Sequence, residues 1–109
     1  MAETIAGTTP TLTLTFSEQD LDLTQALHVY VTISSEDGTP LLTKKDSQLS
    51  VEAKTIEVFL TQEETLAFAG LITILRANWT YTVGNITRRA CSKKKLLYWE
   101  PNEMDMVIE

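Results

Sequence analysis

Alternating apolar and polar residues run through most of this chain and predict short β-strands, because successive side chains of a strand point to opposite faces. The alternation is clearest over 27–34, where every odd-numbered residue from Leu27 to Ile33 is apolar. Alternating or continuously apolar stretches predict further strands at 11–16, 41–45, 55–60, 71–81, 86–91 and 96–99. The chain is therefore expected to be mostly β.

The strand at 71–81 changes the phase of its alternation. Ile72 and Ile74 share one parity, whereas Leu75 and Trp79 share the other. Two explanations are open at this point: both faces of the strand are covered, or a β-bulge near Ile74 shifts the register.

One short helix is predicted in the middle of the chain. Thr61 and Glu64 have the spacing of a capping box, in which the threonine hydroxyl accepts from a helical N–H and the glutamate accepts from the N–H of the threonine. Leu66 and Ala69, with Ala67 and Phe68 beside them, are expected to press one helix face onto a sheet. Gly70 is placed to end the helix in a left-handed conformation.

Seven strands, one helical insert and Asp-Gly and Gly-Asn turn signals describe an immunoglobulin-like antiparallel β-sandwich. The length of 109 residues fits a single domain over 1–109. Residues 1–9 are expected to be a flexible lead-in, and residues 102–109 a flexible tail. The short helix is expected to lie between two strands of the sandwich.

Charge is unevenly distributed along the chain. The formal net charge of -6 argues against nucleic-acid binding, which gains its free energy from Lys and Arg neutralising phosphates. Four acidic residues fall within 100–109. Five of the nine basic residues fall within eight positions, at Arg88, Arg89, Lys93, Lys94 and Lys95. This cluster is a solvated strand face, an intramolecular partner of acidic residues, or a docking surface for an acidic protein.

Catalytic and metal-binding signatures are missing from the sequence. The four glycines form no phosphate-binding loop, and the single cysteine, Cys91, and single histidine, His28, make neither an internal disulfide nor a metal cluster. His28 is expected at the surface, without the oriented partner that a general base needs. We expect no enzymatic activity, no cofactor, no metal and no small-molecule substrate.

Aromatic residues near the last strands are candidates either for the core or for an interface, where Trp and Tyr are enriched. They are Trp79, Tyr81, Tyr98 and Trp99. We count Trp99 with the five clustered cations as a candidate interface residue. An alternative function, a carbohydrate- or ligand-binding β-sandwich module, would use exposed members of this aromatic set.

Neither a signal peptide nor a membrane span is predicted. Residues 1–10 have no basic start and no apolar run, and the longest uncharged apolar run, 66–75, is too short to cross a bilayer. We expect synthesis in the cytoplasm, no secretion by a signal peptide and no membrane partner.

The order of several sequence strings resembles small structural proteins of tailed phages and prophages. The strings are GTTPTLTLTF, LHVYVTI, a DG turn, LLTKK, and TIEVFLTQEETLAF leading into ITILRANWTY and a hairpin. In this order they are similar to the immunoglobulin-like N-terminal domain of phage upper baseplate proteins. The closing NEMDMVIE resembles the endings of free-standing phage proteins.

The resemblance implies a virion protein, made in the bacterial host cytoplasm, that contacts other phage structural proteins and assembles in several copies. It also implies no enzymatic activity. No fibre or receptor-binding region follows the domain in this sequence. That difference from the baseplate proteins favours a tail or baseplate adaptor or connector that acts through protein–protein contacts.

Overall fold

The computed structural model describes residues 2–108 of the chain. Within them the backbone forms nine strands, one α-helix and two short 3₁₀ helices. The strands are β1 (Ala2–Ile5), β2 (Thr11–Thr15), β3 (His28–Ser35), β4 (Pro40–Lys45), β5 (Leu49–Val51), β6 (Thr55–Phe59), β7 (Ile72–Val83), β8 (Ile86–Cys91) and β9 (Lys95–Glu100). The helix is α1 (Gln62–Leu66), and the 3₁₀ helices are Leu23–Gln25 and Asp46–Gln48.

The strands form two sheets, consistent with the predicted mostly-β sandwich. Sheet A has the strand order β1-β9-β7-β3-β4, with β8 also pairing with β7, and sheet B has the order β2-β6-β5. The β1–β9 pair is parallel and the other pairs in residues 2–108 are antiparallel, so sheet A is mixed. Strand β1 lies in the stretch 1–9, so the expectation that this stretch is a flexible lead-in is wrong for residues 2–5.

The core lies between the two sheets and is built from every second residue of the strands. Burial of an aliphatic side chain stabilises the fold by about 1.5–3 kcal/mol. The buried strand residues are Leu12 and Leu14 of β2, Val29, Val31 and Ile33 of β3, Ile56 and Val58 of β6, Leu75, Ala77 and Trp79 of β7, and Leu97 and Trp99 of β9. Leu27, which we expected on the inward face, is 50% exposed because it precedes the first residue of β3.

The phase change in β7 does not come from a bulge. Pairing with β3 runs without interruption from Thr73 to Thr80. Thr73 lies on the buried face in line with Leu75, whereas Ile72 and Ile74 are half-buried on the outer face. The proposed bulge near Ile74 is therefore wrong, and partial cover of both faces explains the apolar residues of both parities.

Helix α1 begins with the predicted capping box. The Glu64 N–H donates to Thr61 Oγ1 at 3.2 Å, and the Thr61 N–H donates to Glu64 Oε1 at 2.8 Å. Together they satisfy two backbone donors that a helix start leaves without partners. Gly70 follows with φ of 77°, the predicted left-handed conformation.

The side chains that anchor α1 and the turn after it differ in part from the predicted ones. Phe68 is buried as expected, but Leu66 is only half-buried and Ala67 and Ala69 are exposed. The buried residue within α1 is Thr65. Thr65 Oγ1 donates to the Thr8 carbonyl at 2.8 Å, which ties the helix to the segment between β1 and β2. No helix in the described part of the chain is long and apolar enough to cross a bilayer.

Strand β7 sets the long dimension of the molecule, because its 12 residues extend over about 37 Å. The β7–β8 turn lies at one end of this strand, which we call the hairpin end. The start of β7 pairs antiparallel with β9, so residues 101–108 follow β9 at the opposite end. The Gly70 N–H donates to the Trp99 carbonyl at 2.8 Å, which places α1 there too. We call this the helix end; the molecule measures 52 × 30 × 22 Å overall.

Candidate interaction surface

Strand β8 pairs along only one of its two edges in the described structure. It lies beside β7 from Asn78 opposite Cys91 to Val83 opposite Ile86, while β9 occupies the same edge of β7 nearer its start. The other edge of β8 has no neighbouring strand among residues 2–108. Such an edge presents unpaired N–H and C=O groups that can pair with another chain.

Strand pairing with β7 is interrupted between Cys91, at the end of β8, and Lys95, at the start of β9. Ser92 spans this break, because its N–H donates to the Ala77 carbonyl and its Oγ accepts from the Ala77 N–H, both at 2.9 Å. The following residues, Lys93 and Lys94, are exposed. We call β8 together with residues 92–95 the basic edge.

The tip of the hairpin carries exposed apolar side chains. Gly84 has φ of 61° and follows Val83, which fits a two-residue type II′ turn that starts with glycine. Val83 is 55% exposed and Ile86 is 60% exposed. The hairpin end therefore offers two β-branched side chains next to the basic edge.

Arg88 and Arg89 lie on opposite faces of β8 because they are neighbours in a strand. Arg88 stands opposite Tyr81, on the face that continues the core. Arg89 lies on the outer face of sheet A, where its Nε and Nη2 donate to Asn78 Oδ1 at 3.2 and 3.0 Å. These two hydrogen bonds from one guanidinium fix its position on the outer face of the sheet.

The outer groove of sheet A has a volume of about 810 Å³ and collects cationic side chains. Arg76, Arg89 and Lys94 line it, with Glu36 and Asp37 also contributing to its wall. The Nε of Arg76 is buried and has no hydrogen-bond acceptor among residues 2–108. The groove therefore favours negatively charged groups along its cationic side.

The third lysine of the cluster connects the two sheets. Lys95 Nζ donates to the Thr13 carbonyl on the edge strand β2 at 3.1 Å. Among the residues that the structure describes, the ion pairs within 4.0 Å are His28–Asp46 and Lys44–Glu64. None of the five clustered cations thus has a carboxylate partner there, so the intramolecular pairing considered from the sequence is not observed in residues 2–108.

Trp99, the sixth candidate interface residue, is a core residue. Its side chain is completely buried, and its ring centroid lies 5.2 Å from that of Phe68. Trp79 is also buried and packs edge-on against Phe16 at 5.5 Å. The expectation that Trp99 lies at an interface is wrong because the inward face of β9 points between the sheets.

Burial of these rings also bears on the alternative function, carbohydrate binding, which would need exposed aromatic side chains. Both tryptophans are inside the core, and Tyr81 and Tyr98 are only half-buried. No flat exposed set of four rings exists in this part of the fold. The burial of Trp79 and Trp99 therefore removes both tryptophans from the ring surface that carbohydrate binding would use.

His28 has the oriented partner that the sequence did not reveal. Its Nδ1 lies 3.0 Å from Asp46 Oδ2, while Asp46 Oδ1 accepts from the Val29 N–H at 3.0 Å. The Val29 N–H, followed by the His28 side chain, holds the pKa of Asp46 below its ordinary value. Asp46 has φ of 45°, so its left-handed backbone conformation serves to aim the carboxylate at β3.

Residues 101–108 at the helix end carry exposed apolar and acidic side chains. The Gln62 amide exchanges two hydrogen bonds with the backbone of Ile108, at 2.8 and 2.9 Å, and Asn102 Nδ2 donates to the Ala6 carbonyl at 3.0 Å. Met104 and Met106 are 52% and 64% exposed. The apolar residues of this segment are thus available to a partner.

Comparisons with protein-family models, with curated proteins and with solved structures find no match to this chain. The resemblance to phage structural proteins therefore rests on the sequence strings alone.

Proposed function

We propose that this chain is a non-enzymatic structural subunit that docks an acidic protein surface along its basic edge. The observation that carries the proposal is the open strand β8, which brings Arg88 and Arg89 together with Lys93 and Lys94 and leaves them without carboxylate partners in the described residues. An edge strand supplies main-chain hydrogen bonds to a partner, and the cations supply selectivity for acidic residues.

The charge balance of the whole chain supports the same proposal. The protein has 15 acidic and 9 basic residues, and five of the basic ones belong to the basic edge. The remaining surface is therefore strongly acidic. Like charges repel acidic partners from that surface, whereas the basic edge attracts them, so the approach of a partner is oriented.

The resemblance to phage upper baseplate proteins suggests the setting in which this docking occurs. We place the chain in the tail or baseplate of a phage or prophage as an adaptor or connector between other virion proteins. A subunit of this kind is made in the host cytoplasm, joins the virion during assembly and works through protein–protein contacts alone. An open sheet edge suits this role because it adds a strand without reshaping the sandwich.

The genes that flank the coding sequence test this proposal. We expect them to encode tape-measure, portal, baseplate or tail-fibre proteins, and at least one purified product to bind this chain. Arg88→Glu combined with Arg89→Glu should weaken that binding at least tenfold. Lys45→Glu combined with Lys54→Glu makes the same change in net charge away from the basic edge and should leave binding unchanged.

Two results would contradict the proposal. One is a genomic neighbourhood without virion genes and without a binding protein. The other is a bound neighbour whose affinity falls equally in both double variants, because the effect would then come from net charge and not from the basic edge.

A further inference from the structure

We infer that a second copy of this chain supplies an acidic strand for the basic edge: residues 103–108 of one copy pair with β8 of the next, head to tail. The inference rests on the proposed docking role of β8 and names the partner. Its evidence is the position of the two surfaces, their opposite charge and the exposed apolar side chains that both carry.

The closing segment and the β8 part of the basic edge lie at opposite ends of the long axis. Arg88 stands opposite Tyr81, nine residues along β7 from Ile72, which corresponds to about 30 Å. Glu100 lies near Ile72, and Asp105 is only five residues further along the chain, which gives a reach of about 17 Å when extended. Residues 103–105 therefore cannot reach Arg88 of their own copy.

The closing segment has the alternation of an amphipathic strand. Glu103, Asp105 and Val107 fall on one face of an extended chain, and Met104, Met106 and Ile108 fall on the other. In the described structure this segment belongs to no strand, and its methionines are exposed. It is therefore free to form strand pairing once it leaves the Gln62 side chain.

Both faces of strand β8 carry an arginine. The outer face carries Arg89, next to Lys94 in the outer groove, and the other face carries Ile86, Arg88 and Ala90. An added strand therefore places Glu103 and Asp105 beside Arg89 in one register and beside Arg88 in the register shifted by one residue. The charge of β8 thus selects an acidic strand, and contact of the methionines with Ile86 favours the register in which Glu103 and Asp105 face Arg89.

The contact between the closing segment of one copy and β8 of the next is heterologous, because it joins two different surfaces. Such a contact forms a ring when its rotation closes and a filament when it does not. An open assembly keeps a free basic edge at one end and a free acidic segment at the other. The assembly is therefore polar along its axis.

A charge-swap experiment tests this inference by sedimentation velocity. Arg88→Glu/Arg89→Glu makes β8 acidic, and Glu103→Lys/Asp105→Lys makes the closing segment basic. We expect the wild-type protein to associate as its concentration rises, and each double variant alone to associate at least tenfold more weakly. An equimolar mixture should regain association, because each variant then offers the other an oppositely charged partner surface.

A labelled peptide of residues 100–109 gives a second measurement that does not depend on folding of the variants. Its fluorescence anisotropy should rise when wild-type protein is added and fall as NaCl is raised. The peptide should bind Lys45→Glu/Lys54→Glu protein normally and Arg88→Glu/Arg89→Glu protein at least tenfold more weakly.

The inference would be overturned by a wild-type protein that stays monomeric and does not bind the peptide, or by a mixture that does not regain association although both variants are folded by circular dichroism. If the monomeric protein still binds a flanking-gene product through Arg88 and Arg89, the inference fails alone and the proposed function stands.

Discussion

The indole N–H of Trp99 donates a hydrogen bond to Thr73 Oγ1 at 2.8 Å, and both side chains are completely buried. Thr73 occupies a position in β7 at which the alternation calls for an apolar residue. Its hydroxyl is needed there because a buried indole N–H requires an acceptor. The phase change in β7 and the burial of Trp99 are thus two aspects of one contact between neighbouring strands.

Replacement of Thr73 by valine should remove this contact with little change in shape. We expect Thr73→Val to lower the free energy of unfolding by about 1–3 kcal/mol, because the indole N–H is left buried without an acceptor. Thr80→Val is the matched control in the same strand, since Thr80 Oγ1 makes no hydrogen bond within residues 2–108. Equal urea midpoints for the two variants would contradict this role of Thr73.

The capping box gives a second prediction about stability. Thr61→Ala should cost about 1 kcal/mol, because the Glu64 N–H loses its acceptor at the start of α1. Thr61→Ser keeps a hydroxyl in the same place and should restore most of the lost stability. Chemical denaturation of both variants decides the matter, and an equal loss in Thr61→Ser would show that the methyl group, not the cap, is responsible.

Glu64 should make stability depend on pH. Burial alone would raise its pKa, but the hydrogen bond and charge of Lys44, 2.8 Å away, and the Thr61 N–H lower it below its ordinary value of 4.5. A carboxylate with a lowered folded-state pKa stabilises the fold above its ordinary pKa, and this contribution is lost as pH falls through the folded-state value.

Glu64→Gln should therefore flatten part of the decline in unfolding free energy below about pH 4.5, while the glutamine still accepts from the Thr61 N–H. Glu63→Gln is the control, because no hydrogen bond or ion pair of the Glu63 side chain is present in the described residues. Denaturant titrations from pH 6 downward compare the three proteins. If the unfolding free energy of Glu64→Gln falls with pH as steeply as that of the wild type, the Glu64 carboxylate does not contribute to this pH dependence.

The β3–β4 turn contains a carboxylate, Asp37, whose pKa depends mainly on the Ser35 hydroxyl. The Ser35 hydroxyl, together with the Thr39 N–H and hydroxyl, lowers the pKa of Asp37 from 3.8 to about 2. Ser35→Ala should raise this pKa toward 3.8, as measured by NMR titration of the Asp37 carboxyl group. Ser34→Ala changes the neighbouring hydroxyl, which bonds to the Ile74 carbonyl, and should leave the Asp37 pKa unchanged.

Local features of this fold were predictable because their signals lie within a few residues of each other. The alternation in β3, the capping box at Thr61 and the turn glycines are of this kind. The contacts Trp99–Thr73, His28–Asp46 and Lys44–Glu64 were not predictable. The first two depend on which strands are neighbours in sheet A, and the third depends on where α1 packs relative to β4. Alternation identifies a strand and its buried face but does not encode its partner.

The candidate surface was likewise predictable only in its local features. The cluster of cations was evident from the residue order alone, from Arg88 to Lys95. Its position on an open edge depends on β8 and β9 sharing one edge of β7, which only the fold reveals. Trp99 was assigned to the surface because aromatic residues are common in both cores and interfaces, and the sequence pattern did not separate the two roles.

Amide hydrogen exchange across β8, compared between dilute monomer and associated protein, tests the docking role of the basic edge most directly. The account predicts that exchange of peptides covering 86–91 slows at least tenfold on association, while peptides covering the edge strand β5 are unchanged. The docking role of the basic edge would be contradicted if β8 amides exchanged equally fast in the monomer and in the assembly. Protection confined to β5 would contradict it as well.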